Sequence, residues 1–159
     1  MRAVIFRKII SASVSGALFA IFLGLIVPNP FGENISSITD YLFAFIIATP
    51  VYLMYSFPAI LIYGVLTSII SDKTNNLISR KTNNGKFEVI ISGILHILFG
   101  LVLLPYSLGA AILFFITDRL LQKSNDKINW LQSVKSLAIP CIVWLSFMGM
   151  VYLEHIFFN

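Results

Sequence analysis

Apolar residues along this chain fall in long unbroken runs, without the alternation of a half-buried strand or the three-to-four spacing of a surface helix. The first run, 9–27 (IISASVSGALFAIFLGLIV), has 19 residues and follows Arg2, Arg7 and Lys8. A signal-peptide core has only about 7–15 residues, and no A-x-A site precedes the break at Pro28-Asn29-Pro30. A retained span with a cytoplasmic N-terminus is therefore expected. Between Pro28 and Asp40 there is no Lys or Arg, and two prolines and a glycine stop the first helix. Ser37 or Asp40 is expected to cap the next helix by accepting an exposed backbone N–H. Asn34-Ile35-Ser36 matches a glycosylation pattern that has meaning only in a eukaryotic secretory pathway.

The second run, 41–70, has 30 uncharged residues interrupted by Pro50 and Pro58. Two spans with a turn need about 36 residues, so one long helix, tilted and kinked, is expected. The polar stretch 71–86, with Lys73, Arg80, Lys81, Lys86 and two Asn-rich segments, reads as a loop. Residues 87–122 would make a helix of roughly 54 Å, too long for one crossing, and they divide at Pro105 into 87–104 and 106–122. Arg119, Lys123, Lys127 and Lys135 follow, as many basic residues as in 71–86. The positive-inside rule places both basic segments in the cytoplasm, which requires an even number of crossings between them. The last run follows Trp130, a headgroup-level residue, carries Pro140 in its first turn and ends near Glu154 and His155.

The expected fold is all-α: a polytopic transmembrane helical bundle, a single integral membrane domain over 1–159. Five spans are favoured, at about 9–27, 41–70, 87–104, 106–122 and 136–157, with four as the alternative. Composition sharpens this. The chain is 58% hydrophobic and 11% charged, with a mean hydropathy of +0.90. A soluble domain has about 45–50% apolar and about 25% charged residues, so a soluble globular domain, a disordered chain and a nucleic-acid binder are excluded. The net charge of +4 records orientation, and the lone Cys141 cannot form an intramolecular disulfide. The spans consume the chain, so any site lies between helices or on short loops.

In the first span Ala12, Gly16, Ala20 and Gly24 recur every four residues along one face, with Ser11 and Ser15 beside it. Such a small-residue face lets backbones approach closely, either inside the bundle or at an interface with a second copy or a membrane partner. His96 is the ionisable residue deepest in an expected span, and it shares a face with Ser92 and Gly100. His96 and Ser92 form a candidate intramembrane polar site, read either as a satisfied interior histidine or as a proton- or ligand-linked group. No second ligand lies at i+3 or i+4 of His96, so no metal is expected there. Asp118-Arg119 reads as an anchor at the cytoplasmic boundary, with an ion pair facing the bundle as the alternative. Glu154 and His155 point to different faces, and Tyr52, Tyr55 and Tyr63 read as packing and interface residues. No H-E-x-x-H, G-x-S-x-G, Gly-rich phosphate loop or intraspan carboxylate pair occurs, so no motif supports catalysis, an intramembrane enzyme is the third reading, and no cofactor is expected.

The stretches YGVLTSIISDK (63–73), HILFG (96–100) and AILFFITDRLL (111–121) resemble a set of small multi-pass membrane proteins of Gram-positive bacilli with no assigned activity. The resemblance covers roughly residues 50–121 and implies a polytopic helical fold in a bacterial plasma membrane. Two functions are consistent with these features. One is non-enzymatic helix–helix association with itself or a membrane partner, in an accessory or immunity-like role. The other is a small transporter or channel-like protein with a polar path near His96.

Overall fold

The computed structural model describes residues 2–30, 32, 34–82, 90, 93–95, 97–98, 105–123 and 128–158, and the regular elements among them are helical. They are α1 (Arg2–Ile26), α2 (Ile38–Ala59), a π turn (Ile60–Gly64), α3 (Val65–Thr82), α4 (Pro105–Lys123), α5 (Trp130–Ser136) and α6 (Ala138–Phe158). Among the described residues three helical stretches are long and apolar enough to cross a membrane: Ala3–Ile26, Ile38–Thr74 and Trp130–Phe157. By length and composition the chain is a membrane protein of helical build.

Local chemistry sets two of the helix starts. At the start of α2 the Ser37 hydroxyl accepts the Asp40 N–H at 3.0 Å, and the Asp40 carboxylate accepts the Ser37 N–H at 3.0 Å, a reciprocal capping box. At the start of α5, Asn129 and Gln132 make the same exchange at 2.9 Å in each direction. Pro58 offers no N–H to the carbonyl one turn back, and the chain widens into the π turn two residues later without breaking. The 41–70 run is thus one continuous helix from Ile38, as its length requires.

Two expectations need correction. The stretch 71–86 does not begin as a loop, because α3 carries the helix on to Thr82. Between Val65 and Thr82 there is neither Pro nor Gly, and Asn and Thr weaken a helix without ending it. The last apolar run is two helices, broken at Leu137, whose N–H bonds Val134 O at 3.1 Å. Pro140 cannot donate to the Ser136 carbonyl, so the turn before it tightens. The helical stretch also starts earlier than expected, at Trp130, whose ring meets Phe6 at a centroid distance of 5.7 Å.

The packing centres on α1. Its small-residue face lies against α2 running antiparallel. A methyl at Gly16 would come within 2.9 Å of the Phe57 ring, and one at Gly24 within 2.5 Å of Thr49 Oγ1. Ala12 and Ala20 on the same face are fully buried. On the other side α4 also runs antiparallel to α1: Gly109 faces Phe19, while Asp118 meets Arg7 and Lys8. The core cluster of Ala12, Phe19, Ile60, Ala110 and Phe114 ties α1, the π turn and α4 together. α6 rests on α2 through an edge-on contact between Phe45 and Phe147 with centroids 5.4 Å apart.

Candidate functional site

Two features meet where α1, α2–α3 and α4 converge. The first is a group of four charges. Lys8 is wholly buried, and its Nζ donates to Ser68 Oγ at 2.6 Å, Asp72 Oδ2 at 2.8 Å and Asp118 Oδ2 at 2.9 Å. An ammonium has three hydrogens, so each finds an acceptor. Arg7 Nε donates to Asp118 Oδ1 at 2.8 Å, and Arg7 Nη2 lies 3.5 Å from Asp118 Oδ2 and 3.8 Å from Asp72 Oδ2. Ser11 Oγ, 3.4 Å from Asp118 Oδ1, completes the shell on α1. Two positive and two negative charges cancel, which is the condition under which charges tolerate a weakly polar surrounding. The quartet meets its surroundings at Asp72, whose side chain is 27% exposed, and to a lesser degree at Arg7, 15% exposed.

The second feature is a cavity of about 420 Å³ between the same helices. Its wall includes the apolar residues Phe19, Leu23, Ile60, Ala110 and Phe114 and the hydroxyl-bearing residues Tyr52, Ser56, Tyr63, Tyr106 and Ser107. The π turn contributes Ile60, Tyr63 and Gly64, so the widened turn shapes the wall. Tyr52 Oη is engaged, donating to Val27 O at 2.9 Å. The two features lie within a single turn of each other. Thr67 lines the cavity beside Ser68, which binds Lys8, and Phe114 lines it one turn before Asp118. Phe114, 2% exposed, forms the floor between them.

The residues singled out in the sequence are distributed unevenly. Ala12, Gly16, Ala20 and Gly24 all lie on the buried face of α1, with α2 against both glycines. His96 and Ser92 lie outside the described residues. Asp118 departs from the expected boundary anchor: it is 4% exposed and faces the bundle, paired to α1. Arg119 points elsewhere, its guanidinium 5.4 Å from the Phe115 ring and its Nη1 bonded to Gln122 at 2.8 Å. Lys8, which the sequence presents only as part of the basic flank of the first run, is wholly buried. Tyr52 and Tyr63 border the cavity, whereas Tyr55 is 71% exposed. Among the described residues no three His, Cys, Asp or Glu side chains come together as a metal site would require.

A sequence signal for the quartet exists. Both acidic partners sit in the same short pattern at the end of an apolar run, Ile70-Ser71-Asp72-Lys73 and Ile116-Thr117-Asp118-Arg119. In each the carboxylate turns toward the bundle and the basic residue after it turns away: Lys73 is exposed, and Arg119 stacks on Phe115. Comparison with protein-family models, curated proteins and solved structures gives no match, so geometry carries the functional reading.

Proposed function

We propose that this chain is a non-enzymatic, multi-pass protein of a bacterial plasma membrane that holds a small hydrophobic molecule between α1, α2–α3 and α4. In this reading the ion quartet closes the cytoplasmic end of the cavity, a carrier-like arrangement. The carrying observation is that cavity wall and quartet adjoin on two helices, Thr67 next to Ser68 and Phe114 one turn before Asp118. Cavities of about 300–1,000 Å³ between helices are the usual form of small-molecule sites.

The N-terminus is cytoplasmic in this reading, because the quartet end also carries the basic segments around Arg7, Lys73 and Lys123. Five spans fit the placement of Asp72 and Tyr106 at opposite ends of α1: Asp72 lies with Lys8, and Tyr106 borders the cavity with Val27. Association with a second copy through the small-residue face draws no support, since α2 covers Gly16 and Gly24.

Cysteine accessibility tests the closure. Ala110→Cys is placed in a Cys141→Ser background, because Cys141 is exposed, and labelled with a membrane-impermeant maleimide in inside-out vesicles. The intact quartet protects the cavity thiol. Asp118→Asn keeps the side-chain shape and removes the charge that holds Lys8 and Arg7. It speeds labelling about tenfold, the effect of one charge-assisted hydrogen bond of about 1.5 kcal/mol. Equal labelling rates with and without Asp118→Asn would overturn the quartet as a closure.

A further inference from the structure

We propose that the cavity takes an uncharged amphiphile, a hydrocarbon bearing one oxygen function (an alcohol, ester or ketone) that pairs with the Ser56 hydroxyl. This rests on the binding reading above and narrows it to a ligand class.

Ser56 is the observation that points to a ligand. It borders the cavity, and its Oγ is buried without a hydrogen-bond partner among the described residues. Other hydroxyls on these helices turn back to the carbonyl one turn earlier: Thr49 to Phe45 at 2.8 Å, Thr67 to Tyr63 at 2.8 Å, Thr117 to Leu113 at 2.8 Å. Ser56 makes no such bond. A buried hydroxyl left unsatisfied in an apolar wall is unfavourable; rotation about χ1 turns it from the packed wall to the cavity, where a ligand oxygen removes that penalty. A serine hydroxyl both donates and accepts, so it pairs with a ligand hydroxyl or a carbonyl oxygen alike.

Charge on the ligand is excluded by the same wall. No Lys, Arg, Asp or Glu is among the described residues that line the cavity. The nearest charges are already satisfied, with all three Lys8 donors and both Asp118 oxygens engaged in the quartet. A carboxylate or ammonium entering here would be buried without a counter-charge, the costliest placement for an ion. A plain hydrocarbon fits the apolar wall but leaves Ser56 Oγ unpaired. An uncharged molecule with one polar atom satisfies both conditions.

Photolabelling of the full chain in detergent micelles tests this. The probe is a long-chain alcohol with a mid-chain diazirine, and its counterparts carry a sulfonate or a trimethylammonium head on the same chain. Adducts are mapped by mass spectrometry. The alcohol is expected to label the peptides containing Tyr52–Thr67 and Tyr106–Phe114, and both charged probes to label them at least about tenfold less. Ser56→Ala is expected to reduce alcohol labelling about five- to tenfold, the loss of one hydrogen bond in a desolvated site. Helix content by far-UV circular dichroism should stay unchanged. Ala111→Phe, which fills the cavity from α4, should abolish the labelling.

The outcomes separate the two readings. A charged probe that labels as strongly as the alcohol, or alcohol labelling untouched by Ser56→Ala, overturns the ligand class and leaves the cavity as a binding site. Labelling of these peptides by no probe, or labelling that persists in Ala111→Phe with the helix content intact, overturns the binding reading itself.

Discussion

Removing Lys8 is the perturbation for which the geometry makes the sharpest statement. Lys8→Met keeps an unbranched apolar stem and deletes the ammonium, together with its contacts at 2.6, 2.8 and 2.9 Å. Asp118 then keeps Arg7, whereas Asp72 keeps only Arg7 Nη2 at 3.8 Å. Breaking a buried ion pair from one side costs about 3–5 kcal/mol, and the lower end applies because Asp72 is part-exposed and partly screened. A loss of about 3 kcal/mol is expected. Asp118→Leu strips Arg7 of its close partner and leaves Lys8 enclosed with Asp72 and Ser68, so about 4 kcal/mol is expected. The double variant removes one charge of each sign and leaves Arg7 and Asp72 as a neutral pair. Its loss should fall short of the sum of the singles by about 1–3 kcal/mol, the scale of coupling within one charge network. The assay is reversible unfolding of the four purified proteins in mixed micelles against a denaturing detergent, followed by far-UV circular dichroism. Losses that add within about 0.5 kcal/mol, or a Lys8→Met loss below that value, refute the enclosed, triply paired lysine.

Two further effects on stability and one on topology are expected. Gly24→Ala puts a methyl 2.5 Å from Thr49 Oγ1, which is itself tied to Phe45 O, so a loss of about 1–3 kcal/mol is expected in the same unfolding assay. Gly149→Ala meets nothing within 4 Å and should gain up to about 1 kcal/mol of helix propensity; equal effects at the two glycines would contradict the α1–α2 packing. Ser37→Ala removes the cap of α2 and should lower stability by about 1 kcal/mol, whereas Ser146→Ala, an exposed helical serine bonded only to its own helix, should change it by less than about 0.5 kcal/mol. Reporter fusions after Asn125 and after Asn159 should report cytoplasm and exterior respectively, and an exterior signal at Asn125 would leave four crossings.

The parts legible in the sequence are those fixed by neighbours along the chain. The Ser37–Asp40 cap and the continuity of 41–70 through two prolines each depend on residues within one or two turns. The small-residue face of α1 was legible as a packing surface, because the four-residue period survives whatever helix lies against it. Its partner was not, since dispersion contacts between small residues carry no complementary pattern on the other helix. The quartet escaped for a different reason. Basic residues before a span are already accounted for by orientation, so Arg7 and Lys8 looked explained, and their acidic partners lie 110 residues away on α4 and 64 away on α3. Opposite charges that cancel leave no trace in net charge. Only the repeated I-[ST]-D-[KR] pattern at the ends of two apolar runs marks them, and its meaning becomes visible once Asp72 on α3 and Asp118 on α4 are seen beside the start of α1.

The two seams of α1 differ in what they allow. Against α2 the contact depends on close backbone approach at Gly16 and Gly24, and any slide of one helix past the other meets Phe57 or Thr49 at once. Against α3 and α4 the contact is made by long flexible side chains with shared partners: Lys8 reaches acceptors on both helices, and Arg7 lies within 4 Å of both carboxylates. If α4 shifts by an ångström or two, Lys8 and Arg7 can exchange carboxylates without stranding a charge. Apolar residues of equal volume often stabilise a fold as well as a buried ion pair does, so cohesion alone gives no reason for four charges here. Exchange of partners does give one. On the proposed reading, motion therefore belongs at the α4 end of the cavity, where Phe114 and Asp118 share a turn, while α1 and α2 move as one body.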